Sequence, residues 1–276
     1  MVTPTTDPAA LAGLARRIRR HIVEMTGAAR SGHPGGSLSA VEILVALYFG
    51  GVLRHDPRHP GWVDRDRFLL SKGHACPVLY AVMAEAGYAP VEELKTLRKM
   101  GSMYQGHPDR RFLPALEAST GSLGQGLSLA IGMGLAARLD RRPTRVYVVL
   151  GDGELQEGQI WEAAMSAAYH KVDNVVAIVD YNKIQLDGFV KDIMELEPLA
   201  AKWRGFGWNT LEIDGHSFPA LFEALAAAKR TRGRPTVIIA HTIKGKGVSF
   251  MENNPKFHGT APSPEEVSHA LEELAG

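Results

Sequence analysis

The sequence predicts a doubly wound α/β domain, in which a mostly parallel sheet is flanked by helices. Three continuous runs of apolar, largely β-branched residues predict buried strands at 146–150, 175–179 and 237–240. Such runs are typical of strands that are covered on both faces, as in parallel sheets. Helical stretches lie between them, as right-handed crossovers require. With 276 residues the chain can form one large domain with a sizeable core, so we assign residues 1–276 to a single domain.

The first helix is predicted close to the amino terminus. Asp7 is suited to cap it, and Pro8 is suited to its first position. Apolar residues then recur at spacings of three and four and form one stripe: Leu11, Leu14, Ile18, Ile22 and Met25. The segment 31–36 breaks this helix. A second, largely buried helix is predicted to start near Ser39, because Ser39 and Glu42 form a capping-box pattern.

The later elements are shorter. Residues 67–70 predict a short strand, and a helix is expected after His74. Another helix is expected after the glycine-rich segment 121–126. The tail 253–276 contains three prolines before a short final helix, and we expect this tail to wrap over the domain.

Composition and charge argue against several classes of protein. The formal net charge is +1, so the whole molecule has no field that favours nucleic acid or an anionic membrane, and we expect neither as a partner. No run of about 18 apolar residues predicts a membrane span. Residues 1–8 lack the pattern of a secretory signal. The single cysteine, Cys76, precludes an internal disulfide and suits a reducing compartment, so we expect a cytoplasmic protein.

Polar side chains follow two of the predicted strands, at the edge where such sheets bind ligands. Residues 151–154 (GDGE) follow the first strand, and residues 180–182 (DYN) follow the second. Asp152 offers a carboxylate and Asn182 an amide oxygen, and hard cations such as magnesium prefer oxygen ligands and share them with phosphate. The glycines permit close backbone approach, and the following helix presents free N–H groups to an anion. These features predict a cradle for a metal-bound diphosphate.

A Gly-Asp-Gly turn alone is common and usually binds nothing, and a Rossmann dinucleotide site is the obvious competitor. No G-x-G-x-x-G motif directly follows a strong strand, and the segment 121–126 has the wrong spacing.

Four histidines lie in predicted loops beside glycine or proline: His33, His74, His107 and His258. One such histidine is usually a surface residue, but small neighbours in all four cases let an imidazole meet a ligand closely. Zinc is the rival interpretation, yet no H-E-x-x-H motif is present and the lone cysteine has no second cysteine to pair with. Proton transfer and hydrogen bonding to hydroxyl groups fit better. His216 is better explained as part of a structural turn.

Six motifs, taken together and in this order, resemble those of the transketolase family. They are residues 31–35 (SGHPG), 71–75 (SKGHA), 106–108 (GHP), 121–126 (GSLGQG), 151–158 (GDGELQEG) and 257–259 (FHG). The match extends from about residue 10 to residue 262 and so covers nearly the whole chain. The resemblance implies the thiamine diphosphate-binding fold, of which this chain would be the diphosphate-binding domain.

The resemblance also implies roles for individual residues. Asp152 and Asn182 would hold Mg²⁺, or alternatively Ca²⁺ or Mn²⁺, through their side chains, and Ile184 would do so through its main-chain carbonyl. The catalytic histidines would be His33, His74, His107 and His258. A larger set would bind thiamine diphosphate: His74, Gly121, Leu123, Gly153, Glu154, Asn182, Ile243, Lys244 and His258. A solvated lysine is the alternative for Lys244. Glu157 matches a family glutamate at the subunit interface.

The chain departs from the family in its length. A complete transketolase carries two further domains, and the middle one binds the aminopyrimidine and supplies a glutamate that activates it. This chain ends before that domain would begin. The resemblance therefore implies a split transketolase that needs a C-terminal partner subunit, in an α2β2 assembly. It would transfer a two-carbon ketol unit from a ketose or ketose phosphate to an aldose or aldose phosphate.

Three alternatives remain open. Two are enzymes: one of the chains of a related synthase of the deoxyxylulose-phosphate type, and the α subunit of a 2-oxo-acid dehydrogenase. The third is a non-catalytic remnant that keeps the fold.

Overall fold

A computed structural model of the chain describes residues 4–275. Residues 1–3 and 276 lie outside the described residues, so the ends of the predicted 1–276 domain, and part of the segment 1–8, are not covered. The helices are α1 (Pro8–Ala29), α2 (Pro34–Ser39), α3 (Val41–Phe49), α4 (Cys76–Ala86), α5 (Gln125–Leu139), α6 (Gly158–Tyr169), α7 (Val190–Ile193), α8 (Leu199–Gly205), α9 (Phe218–Arg230) and α10 (Pro264–Glu273). The strands are β1 (Arg67–Leu70), β2 (Val146–Gly151), β3 (Val175–Tyr181), β4 (Ile184–Gln185), β5 (Gly188–Phe189), β6 (Asn209–Asp214) and β7 (Thr236–His241).

The main sheet is parallel and has the order β1-β2-β3-β7-β6, which confirms the predicted fold class. Successive residues of a strand face opposite sides. In β2, Tyr147 and Val149 pack into the core formed with α1, α3 and α4, whereas Val146 and Val148 pack into the core formed with α5 and α6. Because both faces are buried, the central strands are apolar at nearly every position.

The predicted start of the first helix is confirmed, since the Asp7 side chain accepts hydrogen bonds from the first-turn N–H groups. The predicted capping box at Ser39 is wrong. Ser39 ends α2, and α3 begins without a side-chain cap. The Ser39 hydroxyl instead donates to Asp180 at 2.6 Å, and Glu42 pairs with Arg19 at 2.7 Å. Tertiary partners have displaced the local cap at both positions.

Two features lie at the margins of the fold. The sequence does not predict strand β6, because it is an edge strand with the mixed sequence NTLEID and is only partly buried. The final helix α10 packs against α1, where Val267 lies so close to Gly27 that a β-carbon at residue 27 would overlap it. Arg20 also donates to the Leu271 carbonyl at 3.0 Å. Within residues 4–275, no helix has both the length and the apolarity to cross a membrane.

Candidate active site

A cavity of about 360 Å³ opens at the carboxyl ends of β1, β2 and β3. It brings together residues that are far apart in the sequence. Those predicted from the sequence that line it are His33, His74, Gly121, Leu123, Asp152, Gly153, Glu154, Glu157, Asn182, Ile184 and His258. A wider depression near Asp56 and Trp62 lies on a surface loop and contains none of the predicted site residues.

The three predicted metal ligands stand on the two loops that leave β2 and β3. Asp152 directly follows β2, and its carboxylate accepts hydrogen bonds from the N–H of Gly153 at 2.7 Å and from the N–H of Lys183. Asn182 follows β3, and its Oδ1 accepts from the Ile184 N–H at 3.2 Å. The three oxygen donors are therefore neighbours, as the strand-end pattern predicts.

The charges at these ligands show what the site lacks. Asp152 is buried, and this burial, together with the nearby Asp180 carboxylate, raises the pKa of Asp152 to about 6. The Lys244 ammonium donates to the Ile184 carbonyl at 2.7 Å, and burial, followed by repulsion from Lys72, lowers the pKa of Lys244 to about 7. A divalent cation would relieve the buried carboxylate, and carboxylate, amide and carbonyl oxygens are the ligands that Mg²⁺ and Ca²⁺ prefer. The residues present therefore fit such a cation.

Two glycines leave room beside these ligands. A β-carbon on Gly153 would lie 2.9 Å from the Gln185 side chain. Gly121 has a φ of +143°, and a β-carbon there would lie 2.8 Å from the His107 ring. Both positions need glycine for close approach, which suits a cradle that a diphosphate would fill.

Glu154 joins the two glycine-rich loops of the cradle. Its Oε1 accepts from the Gly124 N–H at 2.9 Å and from the Ser71 hydroxyl, and its Oε2 accepts from the Gly151 N–H at 2.9 Å. Burial raises the pKa of Glu154, although all three donors favour the carboxylate form. This side chain lines the cavity, but its oxygens are used to fix the loops that surround it.

Three of the four predicted histidines form one cluster. The ring centroids of His33 and His74 are 5.1 Å apart, those of His74 and His258 are 5.1 Å apart, and those of His33 and His258 are 5.7 Å apart. Burial lowers the pKa of His33 to about 4 and that of His258 to about 3, and it lowers the pKa of His74 well below the ordinary value. The cluster is therefore neutral near pH 7 and can accept protons or hydrogen bonds. His107 is exposed at the rim beside Gly121.

Two predictions for the segment after β7 need correction. Ile243 does not line the cavity; its N–H donates to Nε2 of His216 at 2.9 Å. The other nitrogen of His216 lies 2.9 Å from Glu42, so His216 has a structural role, as predicted. The solvated alternative for Lys244 is wrong, because this side chain is buried and its ammonium also lies 2.7 Å from Nδ1 of His258.

Reasoning from the sequence misses two charged residues of the site. Lys72 lines the cavity, and its ammonium donates to the Gly36 carbonyl at 2.7 Å and to Asp180. Asp180 is fully buried at the end of β3. The signal exists, since Lys72 follows β1 and Asp180 lies near the end of β3, at the same edge of the sheet as Asp152. Among residues 4–275, no group of three or more His, Cys, Asp or Glu side chains is arranged to hold a metal ion.

Comparison with known proteins agrees with the site. Residues 12–275 match the family described as "Transketolase, thiamine diphosphate binding domain". The 6-deoxy-6-sulfo-D-fructose transketolase subunit SqwG of Clostridium sp. (strain MSTE9) is 48% identical over 93% of this chain and 93% of its own length. A named subunit of the apulose-4-phosphate transketolase of Phocaeicola vulgatus is 40% identical over 93% of this chain and 91% of its own length.

Solved structures and longer relatives agree as well. The crystal structure of transketolase from Campylobacter jejuni superposes with a TM-score of 0.91 at 34% identity, over 97% of this chain and 43% of that one. Transketolase of Homo sapiens is 41% identical over 95% of this chain but only 41% of its own length. The chain thus spans about two fifths of these longer transketolases and nearly the whole of the relatives named as subunits. It belongs to the transketolase family, as a thiamine diphosphate-binding N-terminal subunit.

Proposed function

We propose that this chain works with a partner subunit to transfer a two-carbon ketol unit from a ketose or ketose phosphate to an aldose or aldose phosphate. The carrying observation is the joining of an all-oxygen ligand set and a neutral histidine cluster in one cavity. The relatives described above are named for a sulfo-sugar and for a sugar phosphate, which supports sugars with an anionic group as substrates.

The proposed metal is Mg²⁺, held by the side chains of Asp152 and Asn182 and by the carbonyl of Ile184. Thiamine diphosphate, when bound, supplies a thiazolium ring that stabilises a carbanion. Gly153 and Gly121 admit the cofactor because they lack side chains. The Lys244 ammonium lies at the same place and would balance part of the diphosphate charge.

The histidines would handle the substrate. Because His33, His74 and His258 are neutral near pH 7, each ring can accept a proton from a hydroxyl group or donate an N–H hydrogen bond to it. His107 lies at the exposed rim, where it would meet the far part of the sugar. Burial excludes water from the inner rings, so a proton held there is exchanged with substrate rather than with solvent.

A partner subunit would complete the cavity. Large apolar side chains are exposed on the hairpin β4–β5 and the segment that follows it, where Leu186 is 65% exposed and Met194 is 58% exposed. Leu186 also lines the cavity, as does the exposed Glu157. A partner that buried these residues would close the site, and we propose that it supplies the aminopyrimidine-binding domain and its glutamate in an α2β2 assembly. A cytoplasmic location is proposed with it.

The test is calorimetric titration of thiamine diphosphate with Mg²⁺ into the chain, alone and with its partner. Tight binding that needs the partner and is lost in Asp152→Ala supports the proposal. Asp187→Ala is a matched control, because Asp187 is an exposed carboxylate in the neighbouring hairpin. Absence of binding by the complete assembly would refute the proposal.

Product analysis with ketose donors and with pyruvate then separates the enzymatic alternatives. Aldose release from a ketose marks ketol transfer, whereas consumption of pyruvate marks a synthase or dehydrogenase. A loaded complex that turns over neither donor would favour the non-catalytic remnant.

A further inference from the structure

A buried carboxylate without a role in the proposed function lies directly behind the predicted metal ligands. Asp180 receives hydrogen bonds from four side chains: Ser39 at 2.6 Å, Asn182 at 3.2 Å, Lys72 and Thr242. These donors stand after β1, β3 and β7 and at the end of α2. Asp180 therefore joins four segments at the carboxyl edge of the sheet.

The two oxygens of this carboxylate have different partners. Oδ1 accepts from the Thr242 hydroxyl, while Oδ2 accepts from Lys72, Ser39 and the amide nitrogen of Asn182. Lys72 balances the buried negative charge, as a charge in such a position requires.

These contacts determine which way the Asn182 amide is turned. An ionised carboxylate can only accept hydrogen bonds, so the amide must direct its NH₂ group toward Asp180. Its Oδ1 then faces the N–H of Ile184, at 3.2 Å. A rotation by half a turn would set oxygen against oxygen at Asp180 and NH₂ against N–H at Ile184. Asp180 thus excludes the second orientation.

We propose that Asp180 is a positioning residue, which fixes the Asn182 amide so that its oxygen, and not its NH₂ group, is presented to the divalent cation. The inference rests on the proposed function, since it assigns Asn182 to the metal. Lys72 and Ser39 act through Asp180 by holding its Oδ2 in place. Outer residues that orient a metal ligand commonly affect metal affinity by about 10–100-fold.

The main test is Asp180→Asn in the assembly with the partner and saturating thiamine diphosphate. The new amide can donate as well as accept, so it allows both orientations of Asn182. We expect the dissociation constant for Mn²⁺, measured from the electron paramagnetic resonance signal of free Mn²⁺, to rise by about 10–100-fold. Thr242→Val is the matched control: it removes a donor to Oδ1, away from Asn182, and should leave the Mn²⁺ affinity within about twofold.

A second variant separates positioning from charge balance, and it guards against poor folding of Asp180→Asn with an unpaired Lys72. The pair Lys72→Met/Asp180→Asn removes both members of the buried ion pair, so the chain should fold, yet its Mn²⁺ affinity should remain about tenfold or more below the wild-type value. Wild-type affinity in this pair, or in a folded Asp180→Asn variant, would overturn the inference. Failure of the wild-type assembly to bind Mn²⁺ would instead refute the proposed metal site itself.

Discussion

The replacement Glu154→Gln tests whether one buried carboxylate holds the two glycine-rich loops together. Glutamine has the same shape but offers one acceptor oxygen and one NH₂ group. If its oxygen keeps the Gly124 N–H and the Ser71 hydroxyl, its NH₂ group faces the Gly151 N–H. That backbone donor, buried at the end of β2, then loses its acceptor.

The cost follows from these contacts. An unsatisfied buried donor costs about 1–3 kcal/mol, and each hydrogen bond to a charged group is worth about 1.5–3 kcal/mol. Burial of the carboxylate is itself unfavourable, as the raised pKa of Glu154 shows, so part of the loss is recovered when the charge is removed. We expect the free energy of unfolding to fall by about 2–3 kcal/mol, which lowers the melting temperature of a chain of this size by about 5–10 °C.

Urea denaturation at about pH 8 measures the first effect, and calorimetry of thiamine diphosphate measures the second. We expect about tenfold weaker cofactor binding, because a loss of about 1.4 kcal/mol in loop positioning changes affinity tenfold. Glu157→Gln is the matched control, since the same change at an exposed position should alter stability by no more than about 0.5 kcal/mol. The reasoning would be wrong if Glu154→Gln matched this control in both measurements.

Three further predictions concern the same region. Gly121→Ala should lower stability by about 1–3 kcal/mol in urea denaturation, because the left-handed φ of +143° is strained for alanine and the new methyl meets His107, whereas Gly132→Ala, with open space in α5, should not be destabilising. The free chain should lose stability as the pH falls from about 6.5 toward 4, because the unfolded state then binds protons that the buried His33 and His258 refuse, and urea midpoints of His33→Asn/His258→Asn should show a flatter pH dependence; the raised pKa of Asp152 acts in the opposite direction in both proteins, and equal slopes would contradict this account. Cys76, whose pKa burial raises to about 12, should react with a thiol reagent only at the rate of unfolding, and fast labelling of the native chain would refute its placement.

The sequence is most informative where one physical requirement dominates. The strands β2, β3 and β7 are buried on both faces, so their composition alone predicts them. The edge strand β6 satisfies a sheet neighbour on one side and partial exposure elsewhere, and its residues carry no clear period. Similarly, Ser39 and Glu42 have the right spacing for a cap, but distant partners that no local pattern reveals have displaced it.

The predictability of the site follows the same division. Residues at strand ends, such as Asp152 and Asn182, could be placed together because parallel strands end at one edge of the sheet. The burial of Lys244 and the central place of Asp180 depend on which segments fold back over that edge, and spacing along the chain does not encode this. Ile243 shows the limit of transfer by motif, since its neighbour Lys244 reaches the Ile184 carbonyl and its own N–H is held by His216.

The histidine cluster also has a consequence for synthesis of the chain. His33 lies near the start of the chain and His258 near its end, and β1 pairs with β2 across the whole intervening segment 71–145. Such long-range contacts make folding slow. During translation, at about 5–20 residues per second, the early strands must wait for β7 and the histidine beyond it before the cavity is complete. A prematurely terminated chain would therefore expose its apolar strands to chaperones and proteases without ever competing for the cofactor.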